Sequence, residues 1–202
     1  MKVAVVFYSM YGHTRKLAEA IAEGARGAGA EVLLRRVAEL PEVEQHAQNE
    51  HARKEREAQS TIPVATLDDL RAADGIAWGS PTRYGNMTAQ LKRFIDSTVQ
   101  LWLKGELEGK PAAVFTTPST THGGQESTLL SMMVPLLHLG QVIVGVPYST
   151  PGMLHVEGRG ATPYGASVLA GGDNSREPRA EDLAIGKAQG KRLAEMAKKL
   201  RG

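Results

Sequence analysis

"KVAVVFYSMYGHT" (residues 2–14) begins as an unbroken apolar run and ends in a cluster of small and hydroxyl residues. Val3 to Tyr8 show no polar alternation, which is how a strand covered on both faces reads. A helical pattern follows, with Leu17, Ile21 and Ala25 at i, i+4 and i+8, Ala18 and Ala22 beside them, and "GAGAE" (27–31) supplying a glycine stop. Ser9, Gly12 and Thr14 therefore lie between a strand and a helix, where backbone N–H groups point outward and the helix dipole favours an anion.

The strand pattern recurs in "EVLLRRV" (31–37), "GIAWGSP" (75–81), "AAVFTTP" (112–118) and "QVIVGVPYS" (141–149). Helical patterns separate most of these runs: Leu91, Phe94 and Ile95; Leu129 to Leu137; and Leu193, Met196, Ala197 and Leu200 at the end. Pro135 is expected to kink or end its helix. Alternating elements of this kind predict an α/β fold in one domain, 1–202, built on a five-stranded doubly wound parallel sheet whose ligands sit outside the carboxyl ends of the strands.

Two stretches break the alternation. "EVEQHAQNEHARKEREAQS" (42–60) is charged and poor in large apolar residues, so it reads as a solvated helix or a mobile loop, and His46 and His51 receive no role in it. The segment 149–178 is Gly- and Pro-rich and too long for an idle connection, so it is expected to line a site or a subunit contact.

Composition narrows the function. Lys+Arg 24 against Asp+Glu 22 leaves a net charge of +2, too small to make a nucleic-acid surface the expectation. Cys 0 excludes a disulfide framework, thiolate-ligated metal and a catalytic thiol, and suits the cytoplasm. The N-terminal apolar run is too short to span a bilayer.

The loop Ser9–Thr14 combines hydroxyl donors with Gly12, which lets a phosphate approach the backbone closely. Read alone, it serves equally well as a helix cap with a turn glycine. It has no Lys after a glycine run and no G-x-G-x-x-G, so a terminal phosphomonoester suits it better than a nucleoside triphosphate or a dinucleotide. Two further strand ends tip the balance. Pro81 is followed by Thr82, Arg83, Tyr84, Gly85 and Asn86, a polar loop with an aromatic where a planar ring can be held. Thr117 is followed by Pro118, Ser119, Thr120, Thr121, His122, Gly123 and Gly124, a run of donors on a flexible backbone.

In order along the chain, "SMYGHT", "SPTRYGNM", "HGGQE", "TPYGAS" and "AGGDNSREP" resemble the WrbA family of flavodoxin-like NAD(P)H:quinone oxidoreductases, over nearly the whole length. The resemblance implies a flavodoxin-like three-layer sandwich and FMN as cofactor, with NADH or NADPH as hydride donor and quinones as acceptors. It assigns the FMN phosphate to Ser9, Met10, Tyr11, Gly12, His13 and Thr14, and the ring to the loops Pro81–Asn86 and Thr117–Gly124. Tyr11 falls beside the nicotinamide, His138 in "LLHLG" faces the flavin, and Trp102 in "QLWLKG" closes the site from a neighbouring subunit of a homotetramer, a dimer of dimers. Each of the last two also has a plainer reading: a lone histidine is commonly structural, and a tryptophan between leucines is commonly packing.

A flavin accepts hydride and passes two electrons to a quinone, so no protein base is required, and the expected kinetics are ping-pong. The alternatives are weaker. An electron-carrier flavodoxin needs an acidic docking face, a repressor-binding protein does not need three convergent ligand loops, and a phosphoryl-aspartate enzyme needs an aspartate that "VFYSMYG" lacks.

Overall fold

Parallel pairing aligns Phe7 with Arg36 on one side and with Gly79 on the other, and Gly79 in turn with Phe115, so that neighbouring strands end nearly level. The computed structural model describes residues 1–46, 49–155 and 160–201. In chain order the elements are β1 (Lys2–Phe7), α1 (His13–Gly27), β2 (Glu31–Arg36), α2 (Pro41–His46), α3 (Glu50–Ala58), α4 (Leu67–Ala72), β3 (Gly75–Pro81) and α5 (Ala89–Asp96). They continue with α6 (Val99–Leu103), β4 (Pro111–Thr117), α7 (Gln125–His138), β5 (Val142–Ile143), β6 (Ala161–Thr162), β7 (Gly165–Ala166) and α8 (Ala180–Leu200). The main sheet is parallel and five-stranded, in the order β2-β1-β3-β4-β5.

Strand pleating sends alternate residues to opposite faces. Ala4, Val6, Ile76, Trp78, Ala112 and Val114 pack under α5 and α7, against Leu91, Ile95, Leu129 and Met132. Val3, Val5, Phe7, Ala77, Ala113 and Phe115 pack under α1 and α8, against Leu17, Ile21, Ile185 and Leu193. The result is the expected three-layer sandwich. Continuous apolar strands and one-sided helices are two signs of the same burial.

The fifth strand departs from expectation. Instead of running over 141–149, its ladder covers Val142–Ile143, with one more bond from the Val144 amide to the Ala112 carbonyl at 2.8 Å. The Val146 amide then turns to the Pro163 carbonyl, and the chain leaves the sheet at Pro147, which has no amide to donate. The upper part of β4 is covered instead by a later segment: Ser167 bridges Thr116 in parallel, and the amides of Val168 and Ala170 bond the carbonyls of Thr116 and Pro118. The Gly- and Pro-rich excursion is thus an insertion that interrupts the fifth strand, with β6 and β7 as a small antiparallel hairpin inside it. Its residues 156–159 lie outside the described set, as do residues 47 and 48 of the charged segment.

α7 does not end at Pro135 but continues for most of a turn to His138. The charged segment forms α2 and α3, and α3 is not a wholly solvated face, since Ala52 and Glu55 are buried. No helix among the described residues is long and apolar enough to cross a membrane.

α1 and α8 approach closely because glycine stands at their crossing. A Cβ built on Gly190 would lie 1.9 Å from the Ile21 carbonyl oxygen, and one on Gly24 would lie 1.9 Å from that of Lys187. Replacing Gly190 by Ala must push the helices apart, at an expected cost of about 2 kcal/mol. Gly27→Ala is the control, because open space surrounds that position. Urea unfolding should show a lower midpoint for Gly190→Ala and none of that loss for Gly27→Ala; equal midpoints would show that the crossing is not backbone-limited.

Candidate functional site

The level ends of β1, β3 and β4 bring three loops to one edge. Between them lies a cavity of about 210 Å³. Ser9, Met10, Tyr11, His13 and Thr14 line it from the first loop, Pro81, Thr82 and Arg83 from the second, and Thr117 and Ser119 from the third. None of the described lining residues carries a carboxylate.

The first loop gathers hydrogen-bond donors around a helix N-terminus. Gly12 is the residue before α1 and adopts φ 96°, a left-handed conformation that glycine enters without strain. No side chain caps the helix, so the first-turn amides remain for a ligand. The Gly12 amide donates to Ser9 Oγ at 3.1 Å, closing the turn. Thr14 Oγ1 and Thr117 Oγ1 lie 2.7 Å apart and tie the first loop to the third. Burial lowers the pKa of His13 against the raising effect of its bond to the Arg176 carbonyl, 3.1 Å from Nε2, so the ring is neutral at pH 7. Hydroxyls, backbone amides and a helix dipole are the donor set of a phosphate held without a metal.

Glycines also seat the second and third loops against each other. A Cβ on Gly124 would meet Gly85 Cα at 2.8 Å and Thr82 Oγ1 at 2.9 Å, and one on Gly85 would meet Ser127 Oγ at 2.9 Å. Thr82 Oγ1 and Thr128 Oγ1 are 2.6 Å apart, and Ser131 Oγ donates to Asn86 Oδ1 at 3.2 Å. Arg83 and Asn86 exchange two backbone bonds around Tyr84 and Gly85, both at positive φ. Tyr84 is held with φ 52° and its side chain fully exposed. A bulky residue in that conformation is strained, so the tight turn is imposed by its surroundings.

Not all of the expected residues meet at the cavity. Tyr84, Gly85, Asn86, Pro118, Thr120, Thr121, His122, Gly123 and Gly124, in the second and third loops, are not among the described residues that line it. Gly12 faces away from it, toward Glu55. His138 requires a correction: it lies 13 residues along α7 from Gln125, about 20 Å at the helical rise, and is exposed. It is not among the described residues that line the cavity of its own chain. Instead it shares an apolar groove of about 380 Å³ with Trp102, Val99 and Val134.

Other residues join the site unannounced. Ala170 and Asn174, from the segment after the inserted hairpin, complete the cavity wall. Behind the first loop α3 acts as a strap. Glu55, 8% exposed, accepts from Arg15 Nε at 2.7 Å and Nη2 at 3.0 Å. Gln59 Nε2 donates to Glu55 Oε1 at 2.8 Å and to the Ser9 carbonyl at 3.0 Å. Glu55 Oε2 would lie only 2.8 Å from a Cβ on Gly12. The glycine therefore serves two faces of one loop, and the pairing raises the pKa of Arg15.

A parallel sheet in the order 2-1-3-4-5, with the loops that follow β1, β3 and β4 gathered at one edge, defines the flavodoxin-like fold class. Among solved structures the chain is similar to a WrbA-like flavodoxin from Agrobacterium tumefaciens, with a TM-score of 0.67, 22% identity and 98% of each chain covered. It is also similar to an archaeal flavodoxin, with a TM-score of 0.64, 22% identity and coverage of 98% and 99%. The sequence family described as NADPH-dependent FMN reductase matches residues 1–150. A protein of Geobacter sulfurreducens named NAD(P)H dehydrogenase (quinone) is 50% identical over 100% of both chains. One of the same name from Syntrophobacter fumaroxidans is 50% identical over 99% of this chain and 98% of its own. The chain belongs to the NADPH-dependent FMN reductase family and, within it, groups with full-length relatives named NAD(P)H dehydrogenase (quinone).

The strap generates a prediction. Glu55→Ala leaves Arg15 without its main partner and removes one anchor of Gln59, so the phosphate loop should loosen. FMN binding, followed by flavin fluorescence, should weaken on the order of tenfold, equivalent to about 1.4 kcal/mol. An unchanged affinity in a folded variant would mean that α3 only covers the loop.

Proposed function

We infer that this protein is an FMN-dependent NAD(P)H:quinone oxidoreductase that reduces quinones by two electrons. The observation that carries the reading is the convergence of three ligand loops on one sheet edge, around an uncapped helix N-terminus, in a chain of this family. Bound FMN supplies the redox chemistry, taking hydride and delivering two electrons to the acceptor. The protein's residues bind and orient. Ser9 to Thr14 hold the phosphate; Pro81 to Asn86 and Thr117 to Gly124 frame the ring; Tyr11 lies beside the nicotinamide. Thr14 and Thr117, already paired, present their hydroxyls to one side of the cradle. We place the activity in the cytoplasm and in a single domain, 1–202.

The donor and the quinone compete for one open face, so the proposed order is ping-pong. Initial rates with NADH and benzoquinone varied together should give parallel double-reciprocal lines. Intersecting lines would contradict the shared face, and fast electron delivery to a protein with none to quinones would favour an electron carrier.

We further propose a homotetramer in which Trp102 and His138 reach the flavin of a neighbouring subunit. Supporting this are the exposed side chains on α6 and α7: Trp102 is 53% exposed, with Leu103, Val134 and Leu137 more so. Such a patch on a surface is suited to burial against a second copy. Trp102→Ala should weaken assembly, by about 2 kcal/mol per contact, and lower quinone turnover together. Light scattering and steady-state kinetics read the two effects; a variant with unchanged assembly and turnover would refute the shared site.

A further inference from the structure

A fourth loop, residues 171–179, runs past the cradle from the segment that covers β4 to the start of α8. It begins from a fixed point, because the Ala170 amide donates to the Pro118 carbonyl at 2.9 Å. From there the chain bonds to itself. The Arg176 amide donates to the Ala170 carbonyl at 3.0 Å and the Asn174 amide to the Gly171 carbonyl at 3.2 Å, while the Ser175 amide and hydroxyl donate to Asp173 Oδ1 at 3.1 and 2.8 Å. Gly171 and Asn174 take φ of 80° and 60°, which glycine and asparagine enter more readily than other residues. The loop is closed on itself, and Ala170 and Asn174 line the cavity.

Two side chains bond residues 171–179 to the rest of the described fold, and both stand in the first turn of α1. His13 Nε2 lies 3.1 Å from the Arg176 carbonyl. A carbonyl only accepts, so Nε2 carries the proton and the ring donates. Lys16 Nζ pairs with the Glu177 carboxylate and holds that carboxyl below its usual range. Spacing of i, i+3 puts His13 and Lys16 on one face of the helix, and they take consecutive residues of the loop. The position they enforce has an opposing term: Arg176 Nη2 is buried with no hydrogen-bond partner among the described residues, and an unpaired buried donor is unfavourable. Closure therefore depends on the two ties.

The same turn of α1 carries the uncapped amides to which the FMN phosphate is assigned, so loop and phosphate meet on one stretch of four residues. We propose that residues 171–177 are a latch on the FMN phosphate, held closed by His13 and Lys16, and that breaking these two bonds opens the way for the cofactor to leave. This rests on the placement of the phosphate given above. His13 is then a positioning residue, acting through the Arg176 carbonyl. The latch is weak by construction, since the Lys16 and Glu177 side chains are 37% and 73% exposed and an ion pair so exposed contributes little. It governs how long FMN stays rather than whether FMN binds.

Glu177→Gln separates the latch from simple electrostatics, because removing a carboxylate near a bound phosphate should by charge alone slow FMN release, whereas unlatching the loop should speed it. The rise of flavin fluorescence on dilution of the holoenzyme reads the rate. Release from Glu177→Gln should be about threefold faster than from the wild type, the size set by an exposed ion pair. His13→Phe should release FMN about tenfold faster, while His13→Gln, which keeps an N–H donor for the Arg176 carbonyl, should stay within about twofold of the wild type. Unchanged or slower release from Glu177→Gln would overturn the latch, and so would His13→Gln as fast as His13→Phe. Hydrogen exchange of the wild-type protein decides the matter even if the His13 variants do not fold: amides of residues 171–177 should exchange at least about tenfold more slowly with FMN bound than in the apoprotein. Equal exchange in the two forms would overturn the proposal. These adverse results leave FMN binding and quinone reduction standing. Failure of the wild-type protein to bind FMN would overturn the phosphate assignment, and this inference with it.

Discussion

The structure turns on the first turn of α1, whose backbone amides no side chain caps. Helix N-termini leave N–H groups without intrahelical partners, and an anion is one way to satisfy them. The parallel register delivers two more strand ends to the same level, so the loops that would hold the rest of a phosphate-bearing ligand arrive beside those amides. The third loop is tied to the first through Thr117 and Thr14. On the far side Gln59 holds the Ser9 carbonyl and Glu55 holds Arg15, which fixes the loop from behind without placing a carboxylate among the described residues that line the cavity.

This arrangement disfavours a side chain at Gly12. Its positive φ strains any L-residue, and a Cβ there would come within 2.8 Å of Glu55 Oε2, so the carboxylate would have to shift. Close approach of a phosphate is one constraint on the loop and close approach of α3 is another. The described lining of the cradle holds hydroxyls and Arg83 but no carboxylate, while Arg36, Arg56 and Glu39 line the adjoining cavity.

Much of this was legible in the sequence because burial leaves a periodic trace. β1, β3 and β4 read as strands since both faces are covered, and the loops that follow them carry hydroxyls and glycines because the chain must bend and donate there. The fifth strand misled because Val142 to Val146 keeps an apolar pattern although the sheet pairing passes to Ser167 and Val168, over 20 residues later. Propensity cannot report which distant segment wins an edge. Glu55 and Gln59 were invisible for a related reason. In a segment dominated by charge, nothing local distinguishes a buried ion pair from a solvated one, and only the strand ends beneath α3 decide it. His138 shows the limit of a family correspondence: its place along α7 takes it away from its own cradle, which only a second copy could repair.

The central claim is that the loop between β1 and α1 binds the phosphate of FMN, and titrating the apoprotein with FMN and with riboflavin tests it most directly. The account predicts one FMN per chain and riboflavin at least about a hundredfold weaker, since loss of the phosphate forfeits several charge-assisted hydrogen bonds. Equal affinity for the two flavins would contradict it, because the ring loops alone would then be holding the cofactor.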